Sequence, residues 1–433
     1  ILFFAQCPFD KVLGASNLAM LRYEWVWYKS RATGFLNANR APLKKSENIL
    51  VFYQKSPVYH PQFTYGEPYR KTNPRSGCST NYGKFERTGS ESSDGRRYPG
   101  NVLFVPTVMG GIHPAYEFVS QALAAGKHVV TSNKELVEAR GAELGEIARA
   151  HQVSFLFEAS VAGGIPILRT INTAMIQEEI YRITGILNGT TNYILELMEN
   201  AGASFQEALA DAQAKGYAER KPEADVEGYD ASRKIAILAS MICGRHISYE
   251  NVPTQGISKI TSEDINAATA LGGRLKLISN CQKENGRFYA SVEPMFVPGH
   301  HMLASVNSVY NAVMVKSSML SDTMYYGKGA GKLATASAVV ADILAALNGN
   351  GVYEMNVWSV EREEPIHPGD RPSSYMIRVE GSQIGDERLE EIVPVKGGWC
   401  GVTVQITRKQ LEELMDKISE QARVCSVFRK IEE

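Results

Sequence analysis

The chain has 433 residues, 44% of them apolar, and a formal net charge of −1. That length suffices for two or three domains around a large core, and the near-neutral balance excludes a general electrostatic field for nucleic acid or membrane. The six cysteines are scattered without a CxxC pair, which argues against a disulfide framework or zinc site and fits a reducing cytoplasm.

Residues 1–100 stand apart, with 15 Lys plus Arg against 7 Asp plus Glu and 17 of the 39 aromatic residues. From Lys71 to Gly100 the composition is that of a loop, and no long window shows helical or strand periodicity. A basic arm for nucleic acid is one reading. The preferred expectation is a segment without a stable fold of its own, including one translated in a shifted frame. Ile1 in place of methionine fits a fragment, and ILFF is too brief for a secretory signal. The longest apolar runs are about half the roughly 20 residues needed to cross a bilayer.

At Asn101 the texture changes. NVLFVPTVMGG reads as a buried strand ending in glycines, and HPAYEFVSQALAAG as a helix closed by Gly126. KHVVTS, NKELVEARGAELGEIARAH and QVSFLFEAS follow as strand, helix and strand. Such alternation predicts a parallel, doubly wound sheet, whose ligands bind beyond the carboxyl ends of the strands. Gly110, Gly111, Ser132, Asn133 and Lys134 fall at those ends. Lys134 could reach a bound phosphate or carboxylate, although a lone lysine is ordinarily solvated surface. The small-residue loop EASVAGGIP (158–166) turns backbone carbonyls inward, as a hard cation requires, or is simply a tight turn.

Residues 170–345 read as a mixed domain with strand candidates EEIYRITGIL, RFYASVEPMFV and NSVYNAVMVKSS and helices at 192–200, 205–215 and 231–243. In GILNGTTNYIL, Asn188, Thr190, Thr191 and Asn192 exceed what a helix cap needs. The segment GYAERKPEADVEGYDASRK (216–234) gathers Glu219, Asp225, Asp230 and Lys234 just before an apolar run. Asp230 and Lys234 share one helix face, and the run beyond would shield them from water. A carboxylate and an amine so placed can move a proton onto or off an alcohol. Taken alone, the ordinary reading is a wet salt bridge. GKGAGKLATASAVVADIL (327–344) sets glycines before a long helix, exposing N–H groups to an anion. YMIRVEG (375–381), GVTVQI (401–406), the helix 407–422 and RVCSVFRKI (423–431) form a small α/β appendage.

Together VMGGIHPAYE, HVVTSNKELV, FEASVAGGIPI, GILNGTTNYIL, GYAE-x5-DVEGYDASRK and GKGAG-x3-TAS resemble the homoserine dehydrogenase family over about residues 101–345. The resemblance implies NAD(P)H-dependent reduction of aspartate semialdehyde to homoserine, in threonine, methionine and isoleucine biosynthesis. Lys234 resembles the general acid, Asp230 the carboxylate orienting it and the substrate, and Lys134 the strand-end lysine beside nicotinamide and substrate. Glu219 and Asp225 would hold the substrate amino group. Ser132, Gly110, Gly216 and Gly331 match cofactor positions. Glu158, Val161, Gly163 and Ile165 match a loop binding Na+ or K+ largely through carbonyls.

The implied fold is α/β. It comprises a partial Rossmann-like doubly wound parallel sheet (101–165 with part of 320–345), an α+β substrate and dimerisation domain (166–345), and a small ACT-like C-terminal domain (350–433). A cytoplasmic homodimer or higher homo-oligomer is implied, without nucleic-acid or membrane partners. Three departures stand out. Lys221 replaces a usually acidic residue, and DRPSS (370–374) replaces a glycine-containing loop linked to amino-acid feedback. No GxGxxG turn occurs in residues 1–100, so the alternative is an impaired homologue that keeps the substrate pocket.

Overall fold

The computed structural model describes residues 111–348, 355 and 357–432, and before them only the backbone of several strands. Residues 1–109 form one compact unit and 110–433 another. In the first, strand backbone makes a four-stranded sheet in the order Leu2–Ala5, Lys44–Phe52, Leu21–Thr33, Val102–Val105, the last pair being parallel. It includes a thirteen-residue strand where the sequence shows no long periodic window. The side chains of residues 1–100, and Gly110 altogether, lie outside the described residues.

The second unit opens with helix α1 (Ala115–Ala124), strand β1 (Val129–Val130), helix α2 (Lys134–Ala150) and strand β2 (Phe155–Leu156). β1 and β2 pair in parallel, as strand–helix–strand alternation demands. Asn133 ends the β1 crossing and starts α2, its side chain accepting the Leu136 N–H at 3.0 Å.

Next come β3 (Ile180–Ile186), α3 (Gly189–Ala201), α4 (Phe205–Ala214), the short α5 (Glu223–Val226) and α6 (Tyr229–Cys243). They are followed by α7 (Ser262–Ala270), β4 (Gly273–Glu284), β5 (Arg287–Pro298), β6 (Tyr310–Ser317), β7 (Ser321–Lys328) and α8 (Lys332–Asn348). The chain closes with β8 (Tyr375–Gly381), β9 (Leu389–Val395), β10 (Gly398–Thr403), α9 (Arg408–Ser419) and β11 (Ala422–Lys430).

Nine strands join in one mixed sheet, β7-β6-β3-β4-β5-β11-β8-β10-β9. All pairings are antiparallel except β5 with β11, which welds the C-terminal strands onto the central ones. The last four strands take the order β11-β8-β10-β9, with α9 inserting Leu411, Leu414 and Ile418 into their own small core.

One face of the central sheet carries α6, which is buried almost all round and packs on β4 and β5. Gly228 makes the entry to α6 possible. Its φ of +84° turns the chain sharply after α5, and a Cβ there would stand 3.0 Å from the Thr254 methyl. The opposite face has a smaller cluster around Ile186, Ile278, Leu303 and Ile431.

Expected strands and helices are found with shifted ends, but β4, β7, β9, α5 and α7 were not anticipated. GVTVQI starts later in the sequence reading than β10 does and overruns its end. Among the described residues, no helix is long and apolar enough to cross a membrane.

Candidate active site

The site forms where β3 ends and α3 begins, facing the start of α6. Asp230 and Lys234 lie one turn apart on α6, and Lys234 Nζ donates to Asp230 Oδ2 at 2.6 Å and to the Leu187 carbonyl at 2.8 Å. Both residues are buried, so this is not the wet salt bridge that the spacing alone would suggest. An ammonium has three donors. Two are engaged within the described residues, which leaves one N–H of Lys234 for a ligand.

Lys134 reaches the same carboxylate from α2, its Nζ 3.2 Å from Asp230 Oδ1. Burial by itself would raise the Asp230 pKa, but Lys234 and then Lys134 outweigh it and hold the carboxyl at about 2.

Asn188 completes the cluster. Its Nδ2 donates to Asp225 Oδ1 at 2.7 Å and to Asp230 Oδ2 at 2.9 Å, while Oδ1 accepts the Thr191 N–H at 2.9 Å and caps α3. One side chain thus starts a helix and spaces two carboxylates. Burial, followed by the neighbouring Asp230 charge, raises the Asp225 pKa. Asp225 makes no ion pair among the described residues, so an arriving cation would ease its anionic form.

Glu219 does not join this group. It is exposed, its backbone carbonyl accepts from Gln213 Nε2 at 2.9 Å, and its carboxylate makes no ion pair or hydrogen bond with the cluster. Gly216 and Tyr217 lie nearby on the exposed stretch after α4, with the Tyr217 carbonyl accepting from Thr190 Oγ1 at 2.8 Å. Asn188 was noted in the sequence as part of a polar excess without being given a role. The Leu187 carbonyl had no signal there, because a backbone acceptor leaves no trace in side-chain identity.

The loop 158–166 differs in detail from expectation. The Glu158 carboxylate is committed to the backbone N–H groups of Leu168 and Arg169, at 3.0 and 2.7 Å. Burial raises its pKa to about 7 despite those bonds. The Glu158 carbonyl accepts from Val161 N and that of Ile165 from Ile167 N. Gly163, at φ +54°, sits so close to Gly329 that a Cβ would stand 2.4 Å from its carbonyl oxygen, which ties this loop to the GKGAG turn. Gly331, at φ +106°, has open space where a side chain would stand, just before α8. Ser132 sits at the end of the β1 crossing, before the Asn133 cap. Among the described residues, no group of three His, Cys, Asp or Glu side chains could hold a metal.

In the appendage, Arg371 of the DRPSS loop bonds Gln282 and Glu432 and is paired with Glu284, and Ser373 exchanges backbone bonds with Ile406. The loop is thus packed against the main sheet.

Residues 166–344 match the family model for homoserine dehydrogenase. The chain is 43% identical over 247 residues to homoserine dehydrogenase of Bacillus subtilis, covering 57% of each chain. It is 36% identical over 341 residues to that of Lactococcus lactis, covering 74% of this chain and 80% of the relative. Among solved structures, a homoserine dehydrogenase from Thiobacillus denitrificans superposes with a TM-score of 0.67 at 32% identity, over 76% of this chain and 82% of that one. One from S. aureus gives 0.62 at 33% identity over 76% and 81%. The chain spans only somewhat over half the length of the Bacillus and mycobacterial relatives. With Lys134, Asp225, Asp230 and Lys234 drawn together around Asn188 and four-fifths of two relatives matched, this chain belongs to the homoserine dehydrogenase family.

Proposed function

We propose that the protein interconverts L-aspartate 4-semialdehyde and L-homoserine using NADP or NAD. The observation that carries this reading is the buried Asp230, held between the ammonium groups of Lys134 and Lys234. In reduction, the free N–H of Lys234 protonates the aldehyde oxygen as the carbonyl carbon takes up hydride, giving the alcohol. In oxidation the neutral amine takes the hydroxyl proton back. Asp230, which accepts from that amine, aims it at the substrate oxygen. Asp225, with Glu219 moving in from the exposed loop, holds the substrate ammonium. The positive charge of the substrate would return the Asp225 pKa toward its ordinary value.

Bound nicotinamide supplies or accepts the hydride. Ser132, Lys134, Gly216 and Gly331 would hold the cofactor, and the open space at Gly331 before α8 fits a close backbone approach. Gly110, the fifth expected position, lies outside the described residues. Val161 and Gly163, with Glu158 and Ile165, would hold Na+ or K+ through carbonyl oxygen and so stiffen the loop against the GKGAG turn.

The domain reading follows. Residues 101–165 with part of 320–345 make an incomplete Rossmann-like nucleotide-binding domain. Its support is Asp342 on α8, which accepts the Glu158 N–H and pairs with Arg169 at 2.6 Å. Residues 166–345 bind substrate and dimerise. Residues 350–433 form an ACT-like domain, supported by the β11-β8-β10-β9 order. A cytoplasmic homodimer or higher homo-oligomer serving threonine, methionine and isoleucine biosynthesis completes the proposal.

Mixing protein, homoserine and NADP at alkaline pH and following nicotinamide absorbance tests it; turnover is expected. Absence of turnover with NADPH still bound, as read by fluorescence titration, would overturn the catalytic reading. Absence of both would favour the impaired homologue.

A further inference from the structure

Lys134 and Glu138 stand one turn apart on α2 and therefore meet the same neighbour. Lys134 has a half-exposed side chain and pairs with Asp230. Glu138 is 3% exposed and accepts the Tyr249 backbone N–H at 3.0 Å, just past the end of α6. The Tyr249 ring lies under the Arg233 guanidinium, 4.3 Å from its centroid, and Arg233 directly precedes Lys234 on α6. Further along α2, Trp358 packs on Gly141 and Val357 on Gly145, so the helix is braced at its far end. Among the described residues, the polar contacts that tie α2 to the α6 region near the site are these two: one belongs to the active site, and the other has no part in the chemistry.

A flexible lysine on a partly exposed ion pair does little to fix the helix that carries it. A buried carboxylate on a backbone N–H does much more. We propose that Glu138 is a positioning residue, whose hydrogen bond to the Tyr249 N–H sets α2 so that Lys134 meets Asp230. The proposal rests on the reading of Lys134 given above. The charged groups facing Glu138 are Arg233 on α6, Glu250 on the Tyr249–Asn251 turn, and Lys134 one turn away. Burial raises Glu138 to about 7, against the N–H bond and Arg233. Either protonation state keeps an oxygen that accepts the Tyr249 N–H, so the latch rests on the acceptor rather than on its charge.

The test compares wild type with Glu138→Gln and Glu138→Leu. Acylation of Lys134 by acetic anhydride, read by peptide mass spectrometry against the exposed Lys409, needs no turnover. Glu138→Leu should speed Lys134 acylation several-fold, and Glu138→Gln, which keeps an acceptor, by less than about twofold. In steady state, Glu138→Leu should raise the homoserine KM about tenfold with kcat little changed, and Lys134→Ala/Glu138→Leu should be no worse than Lys134→Ala. Glu138→Met, which keeps the length of the side chain but carries no oxygen acceptor, should match Glu138→Leu and keeps the test available if the leucine variant fails to fold. Unchanged acylation in Glu138→Leu or Glu138→Met, or additive losses in the double variant, would each overturn the proposal. Faster acylation without turnover in any protein would leave Glu138 as positioner and remove the catalytic reading instead.

Discussion

At the scale of single residues, the site turns on how many groups one buried carboxylate can satisfy. Asp230 receives Lys134 on one oxygen and Lys234 with Asn188 on the other. Replacing Lys234 by alanine removes the proposed proton donor but leaves Asp230 paired with Lys134, so the fold should survive. The expected loss is about 10²–10⁴-fold in kcat, with homoserine KM little affected, measured by nicotinamide absorbance; near-wild-type kcat would refute the proton-transfer role. Asn188→Ala is more damaging to structure. It removes the α3 cap and the spacer between two carboxylates, and should cost about 1–3 kcal/mol in denaturant unfolding while raising homoserine KM. Asp225, Asp230, Lys134 and Lys234 were all legible in the sequence as chemistry-bearing types at motif spacing. Glu219 was read from the same segment, yet it stands exposed on a loop with no element to aim it. Spacing along the chain says which face of a helix a residue takes, and it says nothing about an irregular stretch.

At the scale of elements, α6 sets the geometry, and its start is fixed by Gly228. A residue with a Cβ there must adopt a left-handed φ and crowd the Thr254 methyl. Gly228→Ala should destabilise by roughly 1–2 kcal/mol and also weaken homoserine binding, because Asp230 lies two residues on. Calorimetric melting and homoserine titration check both; a stable variant with weakened binding would mean that the turn shifts rather than strains. The elements anticipated from sequence were those with strong periodicity or caps, such as α2, α6, α9 and β3. β4 escaped because Lys276, Ser279 and Asn280, all buried, break up the apolar pattern that would mark a strand. β7 escaped because Ser321, Asp322 and Gly327 weaken its strand signal, while its pairing with β6 is supplied by the hairpin.

At the scale of the whole molecule, the shift in charge and texture at residue 100 falls short of the division into units at 109/110, since Val102–Val105 pairs with Leu21–Thr33, and the continuous nine-stranded sheet left no sign in the sequence. Joining β5 to β11 is a contact between segments more than a hundred residues apart, and no local pattern encodes it. The same sheet buries Lys276, whose ammonium donates to Asn192 Oδ1 at 3.0 Å and the Val306 carbonyl at 2.7 Å, joining β4, α3 and the chain before β6. Both acceptors are neutral, and burial lowers the lysine pKa to about 8. The unfolded chain keeps an ordinary lysine value near 10.4. Between those values the unfolded state binds more protons, so this group adds stability as pH rises from about 8 to 10.4. Below pH 8 the charged lysine costs the fold on the order of 3 kcal/mol relative to its neutral form. Lys276→Met removes the titration and leaves Asn192 Oδ1 without its lysine. Buried thiols and other groups titrate alike in both proteins, so they cancel in the difference. Urea unfolding at pH 7, 8.5 and 10 should therefore show the wild type gaining on Lys276→Met with each step. A difference that stays flat across that range would mean that Lys276 keeps an ordinary pKa, and that water reaches the seam between the sheet and the 302–306 turn.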